Sequence, residues 1–98
     1  MTNENNPADG QTVQAIVDVL NDQGLHARPA ARLAREAQRF SAQLTLFMDD
    51  MVVDAKSILD ILTLAAAKGS SLTITGVGVD AEPAVMTLAE LFHNRFKD

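Results

Sequence analysis

Apolar and polar positions change period several times along the chain, and each change marks an expected element. From Thr12 to Val19, the apolar Val13, Ala15, Val17 and Val19 recur every second residue, as in a strand with one buried face; Ile16 breaks the alternation. Asn21 to Gly24 has turn composition, after which Ala27 to Phe40 takes up a helical period. At about 100° per residue, Ala30, Leu33, Ala34, Ala37 and Phe40 fall within an arc of about 120°, the width of a core-facing stripe. Leu44, Leu46 and Met48 alternate within Gln43 to Met48, Asp49-Asp50 is a turn candidate, and Met51 to Asp54 resumes, which predicts a hairpin. Ser57 and Asp60 have the Ser-x-x-acid spacing of a reciprocal helix cap, opening a short apolar helix to about Leu64 that Lys68-Gly69 is expected to close. Leu72, Ile74 and Gly76 alternate with Ser71, Thr73 and Thr75 as a fourth strand. Asp80 is expected to cap a last helix that exposes Glu82, Glu90 and Arg95 and buries Val85, Leu88, Ala89 and Phe92. The order β-α-β-β-α-β-α predicts an α+β fold, a four-stranded antiparallel sheet with three helices on one face.

Composition narrows the setting. Ninety-eight residues suit one core, read as a polar, flexible tail over residues 1–11 and a domain over 12–98. The absence of cysteine leaves no disulfide framework and no thiolate metal site. No apolar run approaches the ~20 residues that cross a bilayer, and the first residues lack a signal-peptide pattern, so a cytoplasmic protein without membrane insertion is expected. Thirteen acidic against eight basic residues, a formal charge of -5, argue against broad nucleic-acid binding and confine any basic patch to one place.

That place is the start of the first helix. His26 stands at or next to the N-cap, and Pro29 in the first turn fits a helix start because its missing N–H would have had no partner there. Unused amides at a helix start, aligned peptide dipoles and the planar donor fork of Arg28 together suit an anion such as phosphate. A neutral imidazole is a competent nucleophile toward phosphorus, and phosphoryl transfer demands mainly positioning and charge stabilisation. The plain alternative is that His26 only caps the helix. His93 reads as a surface or half-buried residue and Asp49-Asp50 as a solvated turn, so no metal and no cofactor is expected. A hydrolase using His26 lacks a second group to activate water.

Residues 24–30, GLHARPA, resemble the phosphorylation-site signature of HPr, the histidine-containing phosphocarrier of the bacterial sugar phosphotransferase system. The likeness runs through residues 12–96 and includes the segments AKSILDIL and AKGSSLTI. The resemblance implies an open-faced β-sandwich in which His26 is phosphorylated through Nδ1 and Arg28 steadies the phosphoryl group. It further implies a phosphocarrier in sugar transport, a monomer that takes phosphate from enzyme I and gives it to a histidine of an enzyme IIA domain. Docking would use the first helix, where Arg28, Arg32, Arg35 and Arg39 share an arc of about 60°. An apolar patch of Ile58, Leu59 and Leu62 on the second helix would complete the surface, although these three residues equally suit a core. Ser57 matches the position that an HPr-type kinase phosphorylates in many relatives, but its hydroxyl also caps the helix, and the signalling versions carry glycine where Asp60 stands. A second class of function therefore stays open: a regulatory adaptor of a nitrogen-related phosphotransferase branch, whose His26 phosphorylation state controls partner binding.

Overall fold

A computed structural model describes residues 11–97. Residues 1–10 of the expected tail lie outside that range, while the Gln11 carbonyl accepts a hydrogen bond from the Gly78 amide (3.0 Å). The elements are β1 (Thr12–Asp18), α1 (Ala27–Ala37), β2 (Gln43–Met48), β3 (Met51–Asp54), α2 (Ile58–Thr63), β4 (Ser71–Val77) and α3 (Ala81–His93), in the expected order. The strands form one antiparallel sheet in the order β1-β4-β2-β3, so β1 and β3 are its edges.

One-sided alternation builds the core. Val17, Leu44, Leu46, Leu72 and Ile74 are buried from the sheet, and Leu33, Ala34, Ile61, Val85, Leu88 and Phe92 meet them from the helices. α3 lies close against the sheet at Gly76: a Cβ there would stand 2.7 Å from Val85 Cγ2 and 3.1 Å from Leu44 Cδ2. Glycine is needed for that approach rather than for its backbone freedom. Ile16, which broke the alternation, is 74% exposed on the helix-free face, in register through Thr73 with Phe47 and Val52.

Four local expectations are corrected. The first helix stops at Ala37, because the Arg39 and Phe40 amides bond back three residues to Glu36 (3.1 Å) and Ala37 (3.2 Å) and tighten the chain out of the α conformation. Phe40 still packs on the core, so the apolar period outlasts the helix. α2 ends at Thr63 with Leu64 as C-cap, and the turn is made by Ala65 at φ +49, well before Lys68-Gly69. The reciprocal cap of α2 is half formed: Ser57 Oγ accepts from the Asp60 amide (3.2 Å), but Asp60 Oδ2 accepts from the Asp54 amide (3.2 Å) instead of from Ser57. Asp80 occupies the N-cap position of α3 without capping it.

The Asp80 carboxylate is engaged elsewhere. Its oxygens accept from the amides of Ser41 (2.9 Å) and Ala42 (2.8 Å), clamping the α1–β2 connection to the start of α3. The Ser41 amide is the main influence holding this carboxyl below the ordinary carboxylate range; burial opposes it and the Ala42 amide reinforces it. A group depressed in the folded state stabilises above its unfolded value, near pH ~4, and loses that contribution as pH falls through the lower folded value. Asp80→Ala is therefore expected to lower Tm at neutral pH, with the gap to the parent narrowing below pH ~4. A gap that stays constant on acidification, followed by circular dichroism, rules the ionic clamp out.

Candidate functional site

The β1–α1 connection is fixed by the loop that follows α2. Leu25 is buried, and its amide donates to the Ala66 carbonyl (2.9 Å). Gly24 sits at φ +70 against Ala66 and Ala67, where a Cβ would collide with the Ala66 carbonyl oxygen. Asn21 closes the turn from within, its Nδ2 donating to the Gly24 carbonyl (2.8 Å). Across the same two loops, Lys68 Nζ lies 2.8 Å from Asp22 Oδ1. The Lys68 hydrogen bond, then its charge, holds the Asp22 carboxyl below the usual range, with Arg95 adding a smaller pull. One buried leucine and one glycine thus leave the next residue, His26, no choice but the surface.

His26 is the N-cap residue of α1, with extended backbone (φ −82, ψ −169), and its carbonyl accepts the first helical bond, from the Ala30 amide (3.0 Å). Its imidazole makes no capping hydrogen bond, so the ring is not consumed in holding the helix start. The ring is exposed and opens on a cleft of about 650 Å³ lined by Asn21, Gln23, His26, Arg28, Pro29, Ala31, Arg32, Arg35, Arg95, Phe96 and Lys97. Five of those side chains are cationic and none is a carboxylate. A focused positive potential at a helix N-terminus attracts anions. Among the described residues no group of three or more His, Asp or Glu side chains could hold a metal ion.

The sequence pattern brings Arg28, Arg32 and Arg35 to this cleft, but not Arg39. Arg39 lies past the helix end and pairs with Glu36 (2.9 Å), which also lies 4.0 Å from Arg32. The cationic row is therefore partly offset at its far end and strongest near His26. Arg95, Phe96 and Lys97, which line the cleft from the end of the chain, escape a reading based on helical period. Topology is the signal for them: α3 follows β4, which runs antiparallel to β1, so its C-terminal end returns to where β1 finishes and His26 begins.

The family model for the PTS HPr component phosphorylation site matches residues 13–94. The chain belongs to the HPr family. It is 40% identical over 86 residues to the phosphocarrier protein HPr of Treponema pallidum (strain Nichols), covering 88% of this chain and 98% of that relative. The crystal structure of HPr from Bacillus anthracis str. Ames superposes with a TM-score of 0.80 at 45% identity, covering 84% of this chain and 98% of that one. HPr-C-His from Thermoanaerobacter tengcongensis gives a TM-score of 0.84 at 34% identity, with 88% and 97% coverage. The expected α+β architecture, three helices on a four-stranded antiparallel sheet, is the HPr fold, and the protein is a phosphocarrier-family component of the phosphotransferase system.

In this HPr fold the other candidate residues stand apart from the cleft. Ile58 and Leu59 are exposed on α2, 41% and 76%, whereas Leu62 is half-buried against the core, so the expected apolar patch has two exposed members. Ser57 lies at the opposite end of α2 from Ala66, beside the end of α1, where Gln38 Nε2 donates to the Lys56 carbonyl (2.8 Å) and Lys56 Nζ to the Phe40 carbonyl (2.7 Å). His93 is exposed at the end of α3 and does not line the cleft. No helix among the described residues is long and apolar enough to cross a membrane. Ser57→Ala is expected to cost about 1 kcal/mol in urea denaturation, and Ser57→Asp, which keeps an acceptor, only a few tenths. Equal losses in the two variants count against the cap.

Proposed function

We propose that this HPr-family protein accepts a phosphoryl group on His26 from the phosphohistidine of enzyme I and passes it to a histidine of an enzyme IIA domain in the sugar phosphotransferase system. The observation that carries this reading is an exposed imidazole at a helix N-cap, unused in capping, facing a cleft that Arg28 also lines and that holds no carboxylate among the described residues. In the step, a lone pair of His26, assigned to Nδ1, forms a nitrogen–phosphorus bond while the bond from phosphorus to the donor nitrogen breaks. The electron pair stays with the donor ring, which takes up a proton as the His26 ring releases one, so charge balances. Arg28 and the first α1 amides hold the equatorial oxygens of the loose transition state. No metal is required by this scheme on the carrier side.

Docking is assigned to Arg32 and Arg35 beside the cleft and to the exposed Ile58 and Leu59, with Leu62 behind them; Arg39 contributes less because Glu36 offsets it. Ser57 we assign to capping, since the Asp60 carboxylate on the same turn would repel a phosphate added there by an HPr-type kinase. The adaptor reading draws support from the same cleft. A phosphoryl group brings about −2 charge, enough to offset much of the local cationic field and so change which surfaces the protein binds. A panel of enzyme IIA domains separates the readings: rapid onward transfer favours the carrier, and stable binding without transfer favours the adaptor.

Incubation with enzyme I and phosphoenolpyruvate is expected to give an acid-labile phosphoramidate signal in phosphorus NMR that disappears in His26→Ala. A signal of unchanged size in that variant refutes the assignment. Arg32→Glu combined with Arg35→Glu is expected to slow transfer by roughly ten- to a hundredfold at low salt, less at high salt, since reversing rim charges acts mainly on association. Stopped-flow rates indifferent to both substitutions would remove these arginines from the docking surface.

A further inference from the structure

Arg95 and Lys97 reach the His26 cleft on a hook whose backbone is unfavourable for the residues it carries. Beyond the end of α3, Arg95 and Phe96 both lie in the left-handed region, at φ +59 and +58, where a Cβ crowds the following carbonyl. For Phe96 the structure offers a return. Its amide donates to the Leu91 carbonyl (2.7 Å), and its ring meets Phe92 edge-on, with centroids 5.0 Å apart and planes at 71°. Arg95 is exposed, and its amide bond to the Phe92 carbonyl (3.1 Å) is one that glycine would make equally well and without the steric cost. What arginine adds over glycine here is a charge, and that charge lines the cleft. Anchoring of Phe96 fixes its two cationic neighbours together where residues 95–97 line the cleft, on an element separate from the α1 arginines.

The cleft is also larger than a phosphoryl group needs. At about 650 Å³ it belongs with pockets that take a whole ligand or several side chains. The protein carries a formal charge of -5, so an acidic partner would be repelled except where cations are concentrated. We infer that Arg95 and Lys97 are docking residues that receive carboxylate side chains of the protein donating phosphate to His26, adding a second, separately anchored set of cations to the α1 arginines. This inference rests on the phosphoryl-acceptor reading of His26 and assigns the hook to recognition rather than to bond making.

The test combines Arg95→Gly with Lys97→Gln. In phosphorylation driven by enzyme I and phosphoenolpyruvate, the KM for the carrier is expected to rise roughly tenfold at low ionic strength with kcat within about twofold, and the difference to shrink at high salt. Loading by phosphoramidate, a small donor with no protein surface, is expected to match the parent, and Tm to stay equal or rise as the left-handed strain is relieved. Arg95→Lys in an otherwise parental chain is expected to keep most of the low-salt KM. An unchanged KM overturns the proposal. So does a KM increase that survives high salt together with a lowered Tm, which would mark a structural role, and so does a parallel fall in phosphoramidate loading, which would place the cations on the phosphoryl group itself. If the parent protein takes no phosphate on His26 from either donor, the acceptor reading beneath the proposal fails, a result told apart because it appears without any substitution.

Discussion

The hydrogen bond from the Leu25 amide to the Ala66 carbonyl, 2.9 Å long, is the constraint on which the site depends. It forces the β1–α1 connection against the loop after α2, and with Leu25 buried beneath, the chain must emerge at His26. Gly24 makes the contact sterically feasible, because any side chain there would occupy the space of the Ala66 oxygen. Two further backbone bonds, from the Val19 amide to Ser70 (2.9 Å) and from the Gly69 amide to Val19 (2.8 Å), extend the seam from the end of β1. An exposed side chain on a loop takes a defined position only where the backbone beneath it is rigid. Here that rigidity comes from backbone pairing between two connections, which leaves the imidazole itself uncommitted.

Much of this was legible in the sequence because the sheet has one buried face. Val13, Val17, Leu44, Leu46, Leu72 and Ile74 could alternate cleanly only with helices on one side, and the hairpin bounds at Gln43–Met48 and Met51–Asp54 follow from that alternation. The end of α1 was illegible for a physical reason: Phe40 continues the apolar phase, yet hydrogen bonding to i−3 has already replaced the α pattern. The Ser57–Asp60 spacing suggested a reciprocal cap, but the reciprocal motif favours the longer Glu or Gln, and Asp60 instead takes the nearer Asp54 amide. Pro29, the N-cap position of His26 and three of the four arginines were readable from local spacing. Arg95 and Lys97 were not, because nothing local links them to position 26; only the sheet order and the antiparallel return of α3 do.

Charge placement reconciles an acidic protein with a phosphate chemistry. With the Debye length near 8 Å at physiological salt, a dianion at the helix entrance responds to its immediate neighbours far more than to the net charge. Arg28, two residues on from the N-cap, lines the cleft at that entrance, and Arg32, Arg35, Arg95 and Lys97 line the rest of it. Of two described carboxylates near this region, Asp22 is held by Lys68, whereas Glu36 is shared between Arg39 and the cleft's own Arg32. The Asp22–Lys68 pair is exposed and adds little to stability. Its consequence is electrostatic, since a carboxylate held toward Lys68 competes less for the cations of the cleft.

The two ends of the helical layer therefore carry different kinds of constraint. At the end where β1 finishes, three segments distant in sequence converge, the β1–α1 loop, the α2–β4 loop and the hook after α3, and the surface they make is cationic and open. At the opposite end, Asp80 clamps residues 41 and 42, Lys56 ties the start of α2 to the last turn after α1, and Ser57 caps. Polar side chains there are spent on backbone amides and carbonyls. Because α1 begins at the first end and stops at the second, the clamps fix the far end of the same rigid rod that presents His26, and the axis of the helix dipole is held while its positive terminus stays uncovered. The helical layer is thus divided: its polar side chains are spent on backbone groups at one end, and its cations are gathered around an exposed imidazole at the other.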